Sequence, residues 1–172
     1  MKNRIPLFFF SGKEQQDYNK KCAILRPFKE GEEAEIKELF LSVLAELGFS
    51  YDPKMNFDLD NLQLVYRQGS GEFFVIEYEG KIVGTVGIQD KGEGVSYWRR
   101  LAVMKEYRGN GWGGDVVLHF LEYTRSIGFL KATFDTLDKS HMREKYESLG
   151  FVVFDEVQEG ENVKYFMECL LN

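Results

Sequence analysis

Residues 101–114 read LAVMKEYRGNGWGG, and this stretch decides how the rest of the chain is interpreted. Glycines let the backbone adopt positive φ angles and bring several N–H groups close to a ligand. Those N–H groups, the free ones of a following helix and the helix dipole form a concave site for an anion such as pyrophosphate. The sequence therefore predicts an anion-binding loop between a strand and a helix, rather than a loop that only turns the chain. The residues of this loop are Arg108, Gly109, Asn110, Gly111, Trp112, Gly113 and Gly114.

The same glycines also satisfy the pattern G-x-G-x-x-G of dinucleotide-binding proteins, with Asp135 lying 21 residues beyond Gly114. Two features oppose this alternative. Residues 105–108 separate the preceding strand from the first glycine, and the dinucleotide fold requires a series of parallel βαβ units, whereas this chain has hairpin patterns on both sides of the loop. The triphosphate-binding loop is excluded because no Gly-Lys-Ser/Thr follows.

Hydrophobic periodicity divides the chain into strands and helices. Residues 32–47 form the clearest helix, because apolar side chains recur at i, i+3, i+4 and i+7 and Gly48 follows them. Further helices are predicted over 58–67, 111–127 and 142–149, and strands over 22–26, 73–78, 81–89, 95–103, 131–136, 151–156 and 163–170. The order β-α-α-β-β-β-α-β-α-β-β predicts an α+β fold. Its sheet is mixed, largely antiparallel and six- or seven-stranded, with flanking helices and one crossover helix.

With this element order, the chain resembles the GNAT superfamily of acyl-CoA-dependent N-acetyltransferases. The resemblance is carried by Leu101-x-Val103, by Tyr107-Arg108-Gly109-x-Gly111-x-Gly113 and by Tyr146-x-x-x-Gly150-Phe151. The segment 73–87, a strand followed by a Glu-Gly turn and IVGTVG, also matches that family. The similarity runs from about Ala23 to Leu171. We therefore expect an N-terminal arm at residues 1–20 and a GNAT-like acetyltransferase domain at residues 21–172.

The resemblance implies an enzyme that moves an acetyl group from acetyl-CoA, its cosubstrate, to a primary amine of a small molecule or peptide. Transfer would occur by direct attack in a ternary complex. The loop would hold the CoA pyrophosphate, and the strand backbone before it would pair with the pantetheine arm. Lys139 stands where the family often has an asparagine that contacts pantetheine. The implied CoA-binding residues are Leu101, Ala102, Val103, Arg108, Gly109, Asn110, Gly111, Trp112, Gly113, Gly114 and Lys139.

Acetyl transfer to an amine needs an acceptor for the amine proton and a donor for the leaving thiolate. Tyr146 is four residues before Gly150-Phe151 and matches the family's general-acid tyrosine. Its phenol is protonated at neutral pH, so it can donate to sulfur. The alternative is a core aromatic side chain on a short helix. The resemblance favours Tyr146 as the catalytic acid.

The proton acceptor is not identified by the sequence. Four carboxylates are candidates: Glu77, Asp90, Glu93 and Asp135. His119 lies within a predicted helix and is expected to be structural, whereas His141 lies at the start of the last helix, near the expected thioester. Neither histidine belongs to a cluster with metal-ligand spacing, so no metal is predicted.

The composition of the chain limits the kinds of partner that it is expected to bind. The 172-residue chain has a net charge of −6, which argues against nucleic acid as the main partner. No apolar run approaches the roughly 18 residues of a membrane span. Cys22 and Cys169 fit a reduced, cytoplasmic protein, and the sequence leaves open whether they meet and whether the chain forms a homodimer.

Two other function classes stay open at this point. One is a dinucleotide-dependent oxidoreductase, and the other is an acyl-CoA-binding module without turnover. Specificity for the acceptor amine is expected to depend on residues 49–60, 68–71, 89–95 and 157–162. The sequence of these segments does not identify the amine.

Overall fold

The strands of the chain lie side by side in one sheet. The computed structural model describes residues 5–7, 23–109, 112–138 and 142–171. The strand order is β1-β2-β3-β4-β5-β6-β8-β7, and β5–β6 is the one parallel pair in this part of the chain. The predicted mixed, largely antiparallel sheet is confirmed. The strands are β1 (Ile5–Leu7), β2 (Ala23–Pro27), β3 (Glu72–Tyr78), β4 (Lys81–Asp90), β5 (Val95–Val103), β6 (Lys131–Leu137), β7 (Val152–Glu159) and β8 (Asn162–Leu170).

Within the described residues the sheet has eight strands, one more than the upper expectation. The additional strand is β1, which lies in the predicted N-terminal arm and pairs antiparallel with residues 23–25 of β2. Three residues are too few to show the period of two by which a strand is recognised in a sequence. The arm therefore contributes residues 5–7 to the edge of the sheet.

The helices are α1 (Glu33–Glu46), α2 (Leu62–Tyr66), α3 (Trp112–Ser126) and α4 (Arg143–Ser148). The single helix expected at 58–67 is instead a 3-10 turn, Phe57–Asp60, followed by α2. Asn61 lies between them with φ −138°, outside the helical region, so the two pieces cannot be continuous. None of the helices in the described ranges is long and apolar enough to cross a membrane.

Alternation along the central strands produces a separate core on each face of the sheet. In β3, Phe73 and Val75 pack with the buried side chains of α1 and α2, while Phe74 and Ile76 pack with those of α3 and α4. All four are at most 1 % exposed. Burial of such side chains stabilises the fold by about 1.5–3 kcal/mol each. We call the two sides of the sheet the α1/α2 face and the α3/α4 face.

A bulge interrupts β5 at Arg100. The register with β4 shifts between Thr85 and Gly87, and Arg100 has φ +60°. A non-glycine residue in this region costs about 1–3 kcal/mol unless its surroundings hold it there. Thr85 does so by donating its hydroxyl to the Arg100 carbonyl at 2.7 Å.

The Arg100 side chain is held by Asp58 on the α1/α2 face. Its Nε and Nη2 donate to the two carboxylate oxygens at 2.8 and 2.5 Å, and Tyr66 donates its hydroxyl to Asp58 Oδ2 at 2.5 Å. Burial pushes the pKa of Asp58 up, but the hydrogen bonds from Arg100 and Tyr66 outweigh it and lower the pKa overall. Asp58 is therefore ionised and fully engaged, and it anchors the 3-10 turn to the bulge.

Candidate active site

Strands β5 and β6 separate before they end. Their parallel pairing begins at Val95 and Lys131 and ends at Tyr97 and Thr133. Beyond that point β5 continues along β4 as far as Val103, and β6 continues along β8. The middle of the sheet therefore splits, and we call this gap the β5–β6 opening.

The last residues of β5 direct backbone groups into this opening. Met104 donates its N–H to the Val83 carbonyl of β4 at 2.9 Å, and Ala102 is paired with Thr85 of β4. Because backbone groups alternate in direction along a strand, those of Leu101 and Val103 point away from β4. Of the three strand residues predicted to pair with pantetheine, Leu101 and Val103 thus offer polar groups at the opening, whereas Ala102 uses its own within the sheet.

The glycine-rich loop joins the end of β5 to α3. Arg108 is extended, with φ −86° and ψ 167°, and Gly109 has φ +84°, a conformation that glycine adopts without strain. Asn110 and Gly111 lie outside the described residues. The helix begins at Trp112, so the free N–H groups of its first turn, with Gly113 and Gly114, lie at the end of the loop.

The Arg108 guanidinium bridges the loop, β5 and α1. Its Nε donates to the Val103 carbonyl at 2.6 Å, and its Nη1 donates to Glu46 Oε2 at 2.6 Å. Glu46 is the last residue of α1. An anion that binds the loop must therefore compete with this carboxylate for Arg108.

Lys145 of α4 lies beside the first turn of α3. A Cβ atom built on Gly114 would lie 3.7 Å from Lys145 Cε, and the lysine is exposed. A second cation, in addition to Arg108, is thus available next to the helix N-terminus. Sequence analysis missed Lys145, because nothing in its spacing links α4 to the loop.

Tyr146 borders the opening on the α3/α4 face. Its ring centroid lies 4.4 Å from that of Phe134, which is the first residue of β6 beyond the pairing with β5, and 6.0 Å from that of Phe151. Tyr146 is 8 % exposed, and burial raises the pKa of its phenol to about 12. The hydroxyl is therefore protonated throughout the neutral range and has a proton to donate.

Asp135 borders the opening on the opposite face. It follows Phe134 in β6, so its side chain points to the α1/α2 face, where it accepts a hydrogen bond from the Tyr97 hydroxyl. Burial raises the pKa of Asp135, with Lys164 lowering it and Glu159 raising it through smaller effects. A carboxyl group with a raised pKa is a better proton acceptor than an ordinary aspartate.

The other three carboxylates considered from the sequence lie elsewhere. Glu77 accepts a hydrogen bond from Arg26 Nε at 2.6 Å. Asp90 accepts backbone N–H bonds from Ser70 and Gly92, which lower its pKa. Glu93 is exposed in the turn after β4, with φ +51°. Asp135 is thus the candidate that stands at the opening.

The remaining predicted site residues either have a structural role or lie outside the described residues. His119 Nδ1 lies 2.7 Å from the Asp115 carbonyl, one turn earlier in α3, as expected of a structural helix residue. Lys139 and His141 lie outside the described residues. In the described ranges no group of three or more His, Cys, Asp or Glu side chains is arranged to hold a metal ion.

Comparison with known proteins identifies the family of the chain. Residues 33–151 match the acetyltransferase (GNAT) family. The chain belongs to the GNAT acetyltransferase family. It is 27 % identical over 143 residues to the uncharacterised N-acetyltransferase YjgM of Escherichia coli (strain K12), covering 78 % of this chain and 79 % of that one.

Solved GNAT structures share the fold at low sequence identity. A GNAT acetyltransferase from Staphylococcus aureus Mu50 superposes with a TM-score of 0.73 at 21 % identity, covering 87 % of this chain and 99 % of that one. The spermidine N-acetyltransferase of Vibrio cholerae, solved with CoA and spermine, superposes with a TM-score of 0.68 at 16 % identity, covering 87 % and 95 %. These similarities establish the fold alone.

The GNAT assignment replaces the dinucleotide-binding interpretation of the loop. That interpretation required successive parallel strands, but β5–β6 is the one parallel pair in the described sheet. The match of G-x-G-x-x-G is therefore a consequence of the glycine content of a GNAT loop.

Proposed function

We propose that this GNAT protein transfers an acetyl group from acetyl-CoA to a primary amine by direct attack in a ternary complex. One observation carries the proposal. A protonated phenol, Tyr146, and a carboxyl group with a raised pKa, Asp135, border opposite faces of the same opening in the sheet. This arrangement supplies a proton donor on one side of a reacting group and a proton acceptor on the other.

Acetyl-CoA is proposed to bind along the end of β5 and the loop after it. Arg108, Lys145 and the N-terminus of α3 form a cationic, N–H-rich site suited to the pyrophosphate. The backbone groups of Leu101 and the N–H of Val103 suit the amides of the pantetheine arm, since an extended ligand can add to an unpaired strand edge. The Val103 carbonyl already accepts a hydrogen bond from Arg108. The thioester would then enter the β5–β6 opening.

The proton balance of the transfer follows from these positions. An alkylamine has a pKa of about 10.4, so its nucleophilic form costs about 4–5 kcal/mol to populate at pH 7. Asp135 accepts that proton, directly or through water, and the free amine attacks the thioester carbonyl. A strand N–H at the opening stabilises the oxyanion, and the C–S bond then breaks while Tyr146 donates its proton to the leaving sulfur. The nitrogen loses its second proton as the amide forms, and that proton returns Tyr146 to its protonated form.

Two measurements test the proposal. We expect acetyl-CoA and CoA to bind with micromolar-range affinity in calorimetry, and NAD not to bind. We also expect mass spectrometry of an amine panel with acetyl-CoA to find an acetylated product and free CoA thiol. Binding of NAD without CoA would indicate an oxidoreductase. Tight CoA binding without turnover of any amine would indicate a non-catalytic module.

Replacing Glu46 with glutamine is expected to tighten CoA binding by about 2- to 5-fold, because partly exposed ion pairs contribute at most about 1 kcal/mol. The variant removes the carboxylate that competes for Arg108. Titration calorimetry measures the change. Glu38→Gln is the matched control, since it makes the same charge change at an exposed position of α1. Equal affinities in both variants would show that Glu46 does not compete with the ligand.

Replacing Gly114 with aspartate is expected to weaken CoA binding by about 10- to 100-fold, because it places a negative charge beside the pyrophosphate. The fold should tolerate the change. The new Cβ makes only an ordinary contact, and an acid in the first turn of a helix stabilises that helix.

Gly114→Asn separates charge from size, since asparagine has nearly the same shape as aspartate without its charge. We expect its affinity for CoA to remain close to that of the parent, with melting temperatures within a few degrees for both variants. If Gly114→Asp bound CoA normally, the loop would not be the pyrophosphate site.

A further inference from the structure

Two consecutive arginines of β5 project to the α1/α2 face. Arg99 pairs with Gly87 in β4, and a Cβ atom on Gly87 would overlap the ring of Tyr66, which marks this side of the strand. Arg100 reaches the same side because the bulge breaks the alternation. Burial and Asp58 raise the pKa of Tyr66 on this face, and the positive charges of Arg99 and Arg100 oppose that rise.

Arg99 differs from the other arginines of the described ranges because no hydrogen bond or ion pair engages its guanidinium group there. Arg125 has an interaction of its own. The other five form ion pairs with carboxylates, and they are Arg26, Arg67, Arg100, Arg108 and Arg143. Arg99 is partly buried, yet it makes no hydrogen bond or ion pair with any described residue. The charge of Arg99 helps to lower the pKa of Asp58, but the hydrogen bonds that Asp58 accepts come from Arg100 and Tyr66.

Arg99 lies in the part of β5 that borders the β5–β6 opening, where the acetyl transfer is proposed to occur. It lies two residues beyond Tyr97 in β5, as Asp135 lies two residues beyond Thr133 in β6, and both side chains project to the α1/α2 face. The opening on this face therefore has a proton acceptor on one strand and, among the described side chains, an unpaired cation on the other.

An apolar rim adjoins these charges. Arg100 Nη2 donates to the Met55 carbonyl at 2.9 Å, which ties the loop of residues 49–60 to the bulge. Met55 and Phe57 are 60 % and 52 % exposed in that loop. A ligand on this face therefore meets a guanidinium group and exposed apolar side chains.

We propose that Arg99 binds an acidic group of the acceptor, so that the acceptor is an amine of the amino-acid type, with a carboxylate beside the reacting nitrogen. A guanidinium fork binds a carboxylate in bidentate fashion, whereas it repels a second ammonium group. A polyamine is accordingly a poor substrate. This inference rests on the proposed acetyl transfer and adds the chemical class of the acceptor.

The test compares each standard amino acid with the amine that remains when its α-carboxylate is removed, using acetyl-CoA and the full-length protein. Spermidine is included as a polycation. We expect at least one amino acid to exceed its decarboxylated partner by about 10-fold or more in kcat/KM. In Arg99→Gln, KM for that amino acid should rise by about 10- to 100-fold while kcat and the CoA affinity change little.

The controls make each outcome decisive. Arg99→Lys keeps the charge but loses the fork, so it should restore part of the preference. Lys29→Gln makes the same charge change at an exposed residue that follows β2, a strand separated from β5 by β3 and β4, and should have no effect. Preferential acetylation of spermidine or of the decarboxylated amines, or an equal loss for both members of a pair in Arg99→Gln, would overturn this inference and leave acetyl transfer intact. CoA binding without acetylation of any amine would overturn both.

Discussion

Replacing Tyr146 with phenylalanine is expected to lower kcat by about 10²–10⁴-fold, with little change in the Kd for acetyl-CoA. The substitution deletes the hydroxyl that donates to the leaving sulfur and keeps the ring that packs against Phe134 and Phe151. Because the phenol stays protonated well above neutral pH, the loss should be the same from pH 6 to pH 9. Steady-state kinetics and calorimetry measure the two quantities.

Thermal melting separates a catalytic hydroxyl from a structural one. A structural Tyr146 would give a lower melting temperature in the phenylalanine variant and a nearly normal kcat. Tyr123→Phe is the matched control, since Tyr123 is a partly buried tyrosine of the same core and stacks on Phe120. We expect that variant to keep its kcat. A fully active Tyr146→Phe enzyme would remove Tyr146 from the mechanism.

Replacing Asp135 with asparagine is expected to lower kcat by a comparable factor, about 10²–10⁴-fold, because an amide cannot accept the amine proton. Asparagine keeps the shape of the side chain and an oxygen for the Tyr97 hydroxyl. Glu93→Gln serves as the control, since Glu93 is an exposed carboxylate on the turn after β4. Unchanged kcat in Asp135→Asn would assign proton transfer to another group or to solvent.

Whereas Asp135→Asn is expected to lower kcat, it is not expected to lower the thermal stability of the protein at neutral pH. The pKa of Asp135 is raised above its ordinary value of 3.8, so the folded state binds this proton more tightly than the unfolded chain does. The contribution of Asp135 to stability is thus present below pH 3.8 and is lost as pH rises through the raised pKa. At pH 7 the variant should melt at an equal or higher temperature than the parent, and this advantage should vanish in acid.

The same raised pKa shapes the rate profile of the parent enzyme. Activity should fall on the acid side as Asp135 becomes protonated, at a higher pH than an ordinary aspartate would give. In Asp135→Asn this acid limb should be absent, leaving only the titration of the substrate amine. A profile with the limb unchanged would place the titrating group elsewhere.

The sequence predicts the fold well where local pattern and final structure agree. The 3.6-residue period of α1 arises from burial on one side, and the continuous apolar run of β3 arises from burial on both faces. The order of apolar and polar residues in the sequence therefore already shows both elements. The glycine content of the loop likewise reveals its conformational freedom. The family assignment follows from these local features.

Features made by distant residues could not be predicted in this way. The segment YWRR of β5 has the composition of an ordinary strand, and its bulge at Arg100 depends on Thr85 and Asp58, which are 15 and 42 residues away in sequence. The ion pair of Arg108 with Glu46 spans 62 residues. Asp135 is distinguished from three other carboxylates only by the separation of β5 from β6 beside it.

The β5–β6 opening also divides the sheet into two units for local unfolding. On one side are β1–β5, and on the other are β6, β8 and β7, and the backbone ladder between them consists of the short pairing that ends at Tyr97 and Thr133. Amide hydrogen exchange should therefore show two cooperative units whose boundary follows this line. A ligand that binds across the opening joins the units, so saturating acetyl-CoA should slow exchange on both sides and raise the temperature at which they separate.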